Sequence, residues 1–357
     1  MKDKKNAPSD GSESSGANEI IQNKDMIIID KIQTVIDSFQ ENLTEKNIEF
    51  NSYFTAEYLL NRKTEKIPFL LESILHRVGL AAIAGSSDTG KSSFLRQLCI
   101  EVCSGNTSYL GFGINAIHKS AIYVSTEDDD EAVSYLLNKQ NNSLHIESDK
   151  LAGLRFIFDS ENLIENLDKR LTEKPADLVV VDAFTDIYGK SMNESNQVRG
   201  FLNEYGQLAK KHKCLVIFLH HCGKRTESEP PSKNNLLGSQ AFEAKMRLVM
   251  ELRSDNHDPK IKHLCLVKGN YLPAEYKQES YQLIFTENMT FESTNIRIPF
   301  ELLKKDQANG DKEKYERIKE LQSQGLNYEQ IAESIGYKSK GSITKIIAKF
   351  ENNKDVS

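Results

Sequence analysis

The octapeptide Gly85-Ser86-Ser87-Asp88-Thr89-Gly90-Lys91-Ser92 constrains this chain more than any other stretch of it. It satisfies G-x-x-x-x-G-K-[S/T] in full. The apolar run Val78–Ala84 precedes it, and Lys91–Cys103 carries apolar residues at helical spacing behind it. Strand, glycine-rich turn and helix in this order aim backbone N–H groups and the positive end of a helix at one point, a cradle for phosphate oxygens. A chance Gly-Lys-Ser turn lacks that context. In such a cradle Lys91 reaches the β- and γ-phosphates and the Ser92 hydroxyl binds Mg2+. Gly85, Ser86, Ser87, Asp88, Thr89, Gly90 and Ser93 complete the expected nucleotide-binding set, with ATP and Mg2+ as ligands. Asp88 brings negative charge to an anion site, so its carboxylate is expected to face outward.

Three further strand ends point to the same chemistry. Leu178-Val179-Val180-Val181 ends in Asp182, the arrangement in which a carboxylate holds the water shell of Mg2+. Buried strands often end in Asp, and the upstream phosphate loop is what gives this one weight. Ala121–Ser125 leads into Thr126 and Glu127. An acid at the carboxyl end of a strand lies where open sheets bind ligands, so Glu127 is read as general base for the attacking water. With Asp128 to Asp130 it also suits the cap of the next helix. Val216–Leu219 runs into His220-His221-Cys222-Gly223-Lys224. His221 is expected to contact the γ-phosphate and pass its loss to the following loop. A zinc site from His220, His221 and Cys222 is disfavoured, because adjacent residues do not span a tetrahedron and no second ligand pair follows.

Short apolar strands alternating with helical stretches from Ile67 to Phe300 predict an α/β domain with a mostly parallel sheet. Past Gly238, Leu248–Leu252, His263–Val267 and Tyr281–Phe285 read as strands without full helices between them, so antiparallel pairs extend the sheet. The organisation expected is a disordered tail at 1–25, a helical segment at 26–66 with an amphipathic helix over Met26–Phe39, the core at 67–303, a linker at 304–311, a small all-α domain at 312–350 and a tail at 351–357. The net charge of −6 rules out a global basic footprint, so a nucleic-acid partner has to be met by local patches. No apolar run reaches the roughly 18 residues of a membrane span and no secretory h-region is readable. A cytoplasmic location without a membrane partner is expected. Cys99 and Cys103, one helical turn apart, read as reduced core thiols.

The series Gly85–Ser92, Glu127, Val181-Asp182-Ala183, His220-His221-Cys222-Gly223-Lys224, Gly238-Ser239 and Lys268-Gly269-Asn270-Tyr271 resembles the RecA-type ATPases. More narrowly it is similar to the RepA-like hexameric replicative helicases of plasmids, over roughly Phe54 to Phe285. The resemblance implies a RecA-like core and a homohexameric ring with ATP between neighbours. It also implies a basic residue that reaches across to the neighbour's γ-phosphate as an arginine finger. Arg247 fits that role by position, with Lys268 beside it on the next strand; each is also an ordinary strand-surface cation.

In RecA-type proteins the loop after the His221 strand lines a central channel and binds single-stranded DNA. Here it carries Lys224, Arg225 and Lys233, suited to phosphate contacts without sequence reading. The loop from Tyr188 to Asn196 is expected to join it. A solvated surface loop is the plainer reading. Tyr315–Leu321, Tyr328–Ile335 and Ser342–Phe350 resemble a helix-turn-helix, although Ile343 falls one residue later than the usual pattern. Lys338, Lys340, Lys345 and Lys349 with no acid among them suit a duplex groove; a protein-interaction bundle with a solvated Lys face is the alternative. Three functions are consistent with these features: a DNA helicase or translocase of a plasmid or mobile element, an ATP-switched DNA-binding regulator, and an ATPase that loads partner proteins in transposition, recombination or defence.

Overall fold

A computed structural model of the chain describes residues 53–222, 228–236, 240–304, 307–335, 337 and 339–351. The expected tail at 1–25 and the Met26–Phe39 helix lie outside the described residues, as do Lys224, Arg225, Gly238, Ser239 and Lys338. The chain divides into two compact units, Met1–Lys66 and Ile67–Ser357. In the first, helix α1 (Ala56–Asn61) starts at Thr55, whose hydroxyl accepts from the Tyr58 N–H at 3.1 Å. Phe54 stacks on Tyr58, and none of the helix is buried.

The second unit is built on a sheet in which, among the described residues, nine strands pair. In chain order these are β3 (Gly79–Gly85), β6 (Ala121–Ser125), β7 (Leu154–Ile157), β8 (Leu178–Asp182), β9 (Leu215–His221), β10 (Leu248–Ser254), β11 (Ile261–Gly269), β12 (Glu279–Phe285) and β13 (Phe291–Pro299). Their spatial order is β13-β12-β11-β10-β3-β9-β8-β6-β7. From β10 to β7 all pairs are parallel, and β11, β12 and β13 add antiparallel pairs beyond β10. Two small hairpins, β1 (Phe69–Leu71) with β2 (Leu75–His76) and β4 (Ser108–Tyr109) with β5 (Phe112–Gly113), stand apart from the sheet.

The central strands are apolar on both faces because both faces are covered. Ala81, Ile83, Val180 and Ile217 face a cluster shared with Phe94, Leu95 and Leu98 of helix α2 (Lys91–Ser104). Ala82, Val179, Val216 and Phe218 face a second cluster with Leu167 of α4 (Leu163–Glu173) and Leu202 and Tyr205 of α6 (Ser195–His212). Helix α3 (Asp130–Leu144) follows β6, and the short helices α5 (Phe184–Ile187) and α7 (Gln240–Lys245) follow β8 and precede β10. Among the described residues no helix is long and apolar enough to cross a membrane.

The C-terminal helices α8 (Gln307–Ser323), α9 (Tyr328–Ser334) and α10 (Lys340–Glu351) share a core of Ile318, Leu321, Ile331, Ala332, Ile343 and Ile347. Helix α8 starts at Gln307, so it occupies most of the stretch 304–311 read as linker from sequence. Asn327 caps α9 reciprocally with Gln330: Asn327 Oδ1 accepts the Gln330 N–H and Gln330 Oε1 accepts the Asn327 N–H, both at 3.0 Å. Ile343, late for the helix-turn-helix pattern, is fully buried in this core.

Candidate functional site

The phosphate loop leaves the carboxyl end of β3 and enters α2 through Gly90, whose φ of 90° suits a residue without Cβ. A Cβ on Gly90 would also sit 2.9 Å from Phe291, and one on Gly85 would sit 2.4 Å from the Leu252 carbonyl oxygen. The loop is therefore wedged against β10 and the start of β13. Asp88, at φ 62°, is exposed at the rim. Lys91 is buried and its Nζ donates to the Ser86 carbonyl oxygen at 2.7 Å, so the loop is closed on its own lysine. Burial holds the Lys91 ammonium below the ordinary lysine range, against the pull of nearby Asp182, Glu127 and Asp88.

Asp182 ends β8 beside this loop and is buried. Its Oδ2 accepts from the Tyr123 hydroxyl at 2.5 Å, and its Oδ1 is buried with no hydrogen-bond partner. Burial pushes the Asp182 carboxyl above the ordinary range despite that bond. An orphaned carboxylate oxygen next to the Ser92 hydroxyl is the donor set of a hard divalent cation, so these residues fit Mg2+.

Glu127 lines a cavity together with Lys91 and Ser92. Its Oε1 is 3.5 Å from His221 Nε2, with the two side chains 55% and 32% exposed. Helix α3 is capped by Asp129, whose Oδ1 accepts the Ala132 N–H at 2.8 Å, and this leaves Glu127 out of the cap. Thr126 fixes the turn: its N–H donates to the Asp182 carbonyl at 2.8 Å and its hydroxyl accepts the Ala183 N–H at 2.9 Å. The ends of β6 and β8 are thus tied together, which fixes Glu127 relative to Asp182. Nothing in the sequence marked Thr126 or Tyr123, which read as ordinary strand residues. Lys91, Ser92, Ser93, Glu127 and His221 all line one cavity of about 490 Å³.

His220 packs against Phe184 and Phe242, on the opposite side of β9 from His221. Burial, with Glu251 adding to it, pushes the Cys222 thiol up to about 12, far from a zinc-binding thiolate. Among the described residues no group of three or more His, Cys, Asp or Glu is placed to hold a metal ion.

Arg247 and Lys268 stand at the other end of the sheet. Leu248 pairs with Ala81, and Val249 pairs with Ala82 and Lys268, which places them four and three residues before the phosphate loop on β3. Arg247 packs on Gly79, and Lys268 Nζ is 2.9 Å from Glu243 Oε1 and donates to the Glu243 carbonyl at 2.6 Å. Neither lines the cavity of its own chain.

The loop after β9 is rooted at the site. The Cys222 N–H donates to the Gly85 carbonyl at 3.0 Å, and Cys222 bridges Leu236. Its second half is anchored by a buried pair on β10. Glu251 Oε1 accepts from Arg253 Nε at 2.6 Å, and its Oε2 accepts the Ser232 N–H at 3.1 Å and the Asn235 amide at 3.2 Å. Arg253 Nη1 donates to the Glu229 carbonyl at 2.6 Å. Lys233 in this loop is half exposed, 3.7 Å from Glu243. Glu251→Ala removes the acceptor of three donors and the counter-charge of Arg253, and is expected to cost about 3–5 kcal/mol in urea denaturation. A loss under about 1 kcal/mol would show that the pair is not an anchor. In the C-terminal helices Lys340 is paired with Glu329 at 2.9 Å, while Lys345 is exposed.

A phosphate loop between a buried parallel strand and a helix, with an acid at the end of each of two neighbouring strands, on a sheet flanked by helices, defines a RecA-type P-loop ATPase. Residues 44–227, more than half of the chain, match the family described as an AAA domain, and the chain belongs to that family. Among solved structures it is similar to an ATPase domain, with a TM-score of 0.50 and 12% identity over 73% of this chain and 99% of that one. It is also similar to the RadB recombinase, with a TM-score of 0.46 and 18% identity over 61% of this chain and 91% of that one. No curated protein matches the sequence.

Proposed function

We propose that the chain is an oligomeric ATPase that acts on single-stranded DNA as a helicase or translocase of the RepA-like kind. The observation that carries this reading is the Glu127–His221 contact of 3.5 Å across the cavity, with His221 one residue before the loop anchored by Glu251. Glu127 takes the proton of the attacking water. Lys91 leaves the Ser86 carbonyl for the β- and γ-phosphates, and Ser92 and Asp182 hold Mg2+. The bound cation neutralises charge on the phosphate oxygens. When the γ-phosphate leaves, His221 loses a partner and is drawn back to Glu127, which pulls on the root of the loop at Cys222. Lys233, with Lys224 and Arg225, grips the backbone of the strand.

The position of Arg247 and Lys268 at the far end of the sheet supports a ring in which each completes a neighbour's site. Arg247→Ala is expected to leave ATP binding within about twofold and to lower hydrolysis about 10³-fold or more, measured by phosphate release beside nucleotide titration. Unchanged turnover sinks the finger role. A chain that stays monomeric in sedimentation with ATP and single-stranded DNA sinks the ring.

The three C-terminal helices with an exposed Lys345 favour a second reading, a regulator that finds duplex DNA and uses ATP to assemble. A strand-displacement assay separates the two: unwinding with ATP supports the motor, and DNA-stimulated hydrolysis without unwinding supports the regulator.

A further inference from the structure

The cavity also has lining that the phosphate chemistry does not use. Besides Lys91, Glu127 and His221 it is lined by Phe285 and Met289, from the end of β12 and the turn into β13. This turn is seated on the phosphate loop itself, since a Cβ on Gly90 would meet Phe291 at 2.9 Å and Phe285 at 3.4 Å. Two buried glutamines lock it there. Gln97 of α2 accepts the Phe291 N–H at 2.7 Å and donates to the Phe291 carbonyl at 3.2 Å. Gln140 of α3 donates at 2.9 Å to both the Ser93 carbonyl and the Met289 carbonyl. Asn288 adds a bond to the Ser143 hydroxyl at 2.8 Å.

Several polar atoms of the turn are engaged within the protein. The Met289 N–H donates to the Thr286 carbonyl at 3.0 Å, the Thr286 N–H donates to the Thr290 carbonyl at 2.9 Å, and the two threonine hydroxyls pair at 2.7 Å. What the turn offers the cavity is Phe285 and Met289, both partly exposed, with the Phe285 ring 4.8 Å from that of Phe291 and Lys262 Nζ 5.8 Å from the Phe285 centroid. A nucleoside triphosphate is anionic at one end and flat and apolar-faced at the other. With its phosphates at Lys91 and Ser92, a nucleotide has Phe285 and Met289 as apolar partners for its base within the same cavity.

We propose that Phe285 and Met289 form the wall against which the base of the bound nucleotide packs, and that the wall reads the faces of the base and not its edges. Purine and pyrimidine triphosphates then all bind, purines more tightly for their larger face. The proposal rests on the nucleotide reading of the phosphate loop and extends it to substrate class.

The test is isothermal titration of the full chain, with Mg2+, against ATP, GTP, CTP and inorganic tripolyphosphate. The three nucleotides are expected to bind within about 100-fold of one another, the range that an apolar pocket discriminates. Phe285→Ala is expected to weaken each nucleotide about 5- to 100-fold, the loss that follows removal of an aromatic platform for a base, and to leave tripolyphosphate unchanged. Met289→Ala, which removes no residue of the buried core, is expected to weaken the nucleotides in the same sense and serves if the first variant fails to fold. Unchanged ATP affinity in the folded variants, equal loss for tripolyphosphate, or rejection of GTP or CTP beyond that range overturns the wall. If wild-type protein binds neither ATP nor tripolyphosphate, the phosphate-loop reading has failed and the wall falls with it.

Discussion

Asp182→Asn is expected to abolish Mg2+-dependent hydrolysis and at the same time to raise the melting temperature of the nucleotide-free protein. The two effects have one cause. Asp182 is a buried carboxylate with one oxygen unpartnered, and burial lifts its proton affinity above the ordinary range. A carboxyl whose folded-state pKa is raised contributes stability that is full below the ordinary carboxylate range and is lost as pH rises through the raised value. Above that window the native state carries a charge that burial disfavours, and the amide of Asn does not. Relief of about 1–2 kcal/mol raises the melting temperature by about 2–8 °C in a domain of this size, and the difference from wild type grows as pH rises from the carboxylate range toward neutrality. With ATP and Mg2+ the order reverses, because only the wild type gains the ligand's contribution. A variant less stable than wild type at neutral pH without ligand would show that the Tyr123 hydrogen bond outweighs the buried charge. Residual magnesium-dependent turnover would remove Asp182 from the metal site.

What could be read in the sequence was local. The phosphate loop, β3, β8 and β9 are continuous apolar runs of strand length, and in each the residue that matters ends the run. The structure therefore finds Asp182 and His221 at strand ends and Glu127 two residues past β6, as their sequence context suggested. The antiparallel pairs beyond β10 were legible because helical spacing disappears there. β13 was not, since its Phe291-Glu292-Ser293-Thr294-Asn295-Ile296 stretch is mostly polar on a sheet edge. The hairpins β1–β2 and β4–β5 are too short to carry a period. Gly310 and its polar neighbours read as a linker, yet α8 runs through them. The nucleotide-facing wall was invisible for a different reason. Phe285 and Met289 are about 200 residues from the phosphate loop in sequence, in a turn with no motif, and it takes the sheet pairing of β12 and β13 and the hydrogen bonds of Gln97 and Gln140 to bring them to it. Asp129 rather than Glu127 capping α3 likewise needs coordinates, because a run of five acids caps equally well from several positions.

Lys91→Ala is the substitution that separates binding from chemistry at the phosphate loop. In the nucleotide-free protein the Lys91 ammonium is buried, satisfied by the Ser86 carbonyl at 2.7 Å, and held below its ordinary pKa by burial. Its removal costs one charge-assisted hydrogen bond and relieves one desolvated charge, terms of opposite sign and similar size, so the folding stability is expected to change by less than about 1 kcal/mol. The effect on turnover is far larger. The buried ammonium meets charge that grows on the transferring phosphoryl group, and losing one such preorganised donor costs about 10²–10³ in rate. Because Lys91 also helps hold the ground-state phosphates, ATP is expected to stabilise the variant less than wild type in a thermal shift. Tripolyphosphate is expected to lose affinity in parallel with ATP, the opposite of the Phe285→Ala pattern. Phosphate release at saturating ATP reads the rate, and titration reads the binding. Wild-type turnover in a folded Lys91→Ala protein would remove the lysine from the reaction and, with it, the phosphate-loop assignment on which the rest of the site is built.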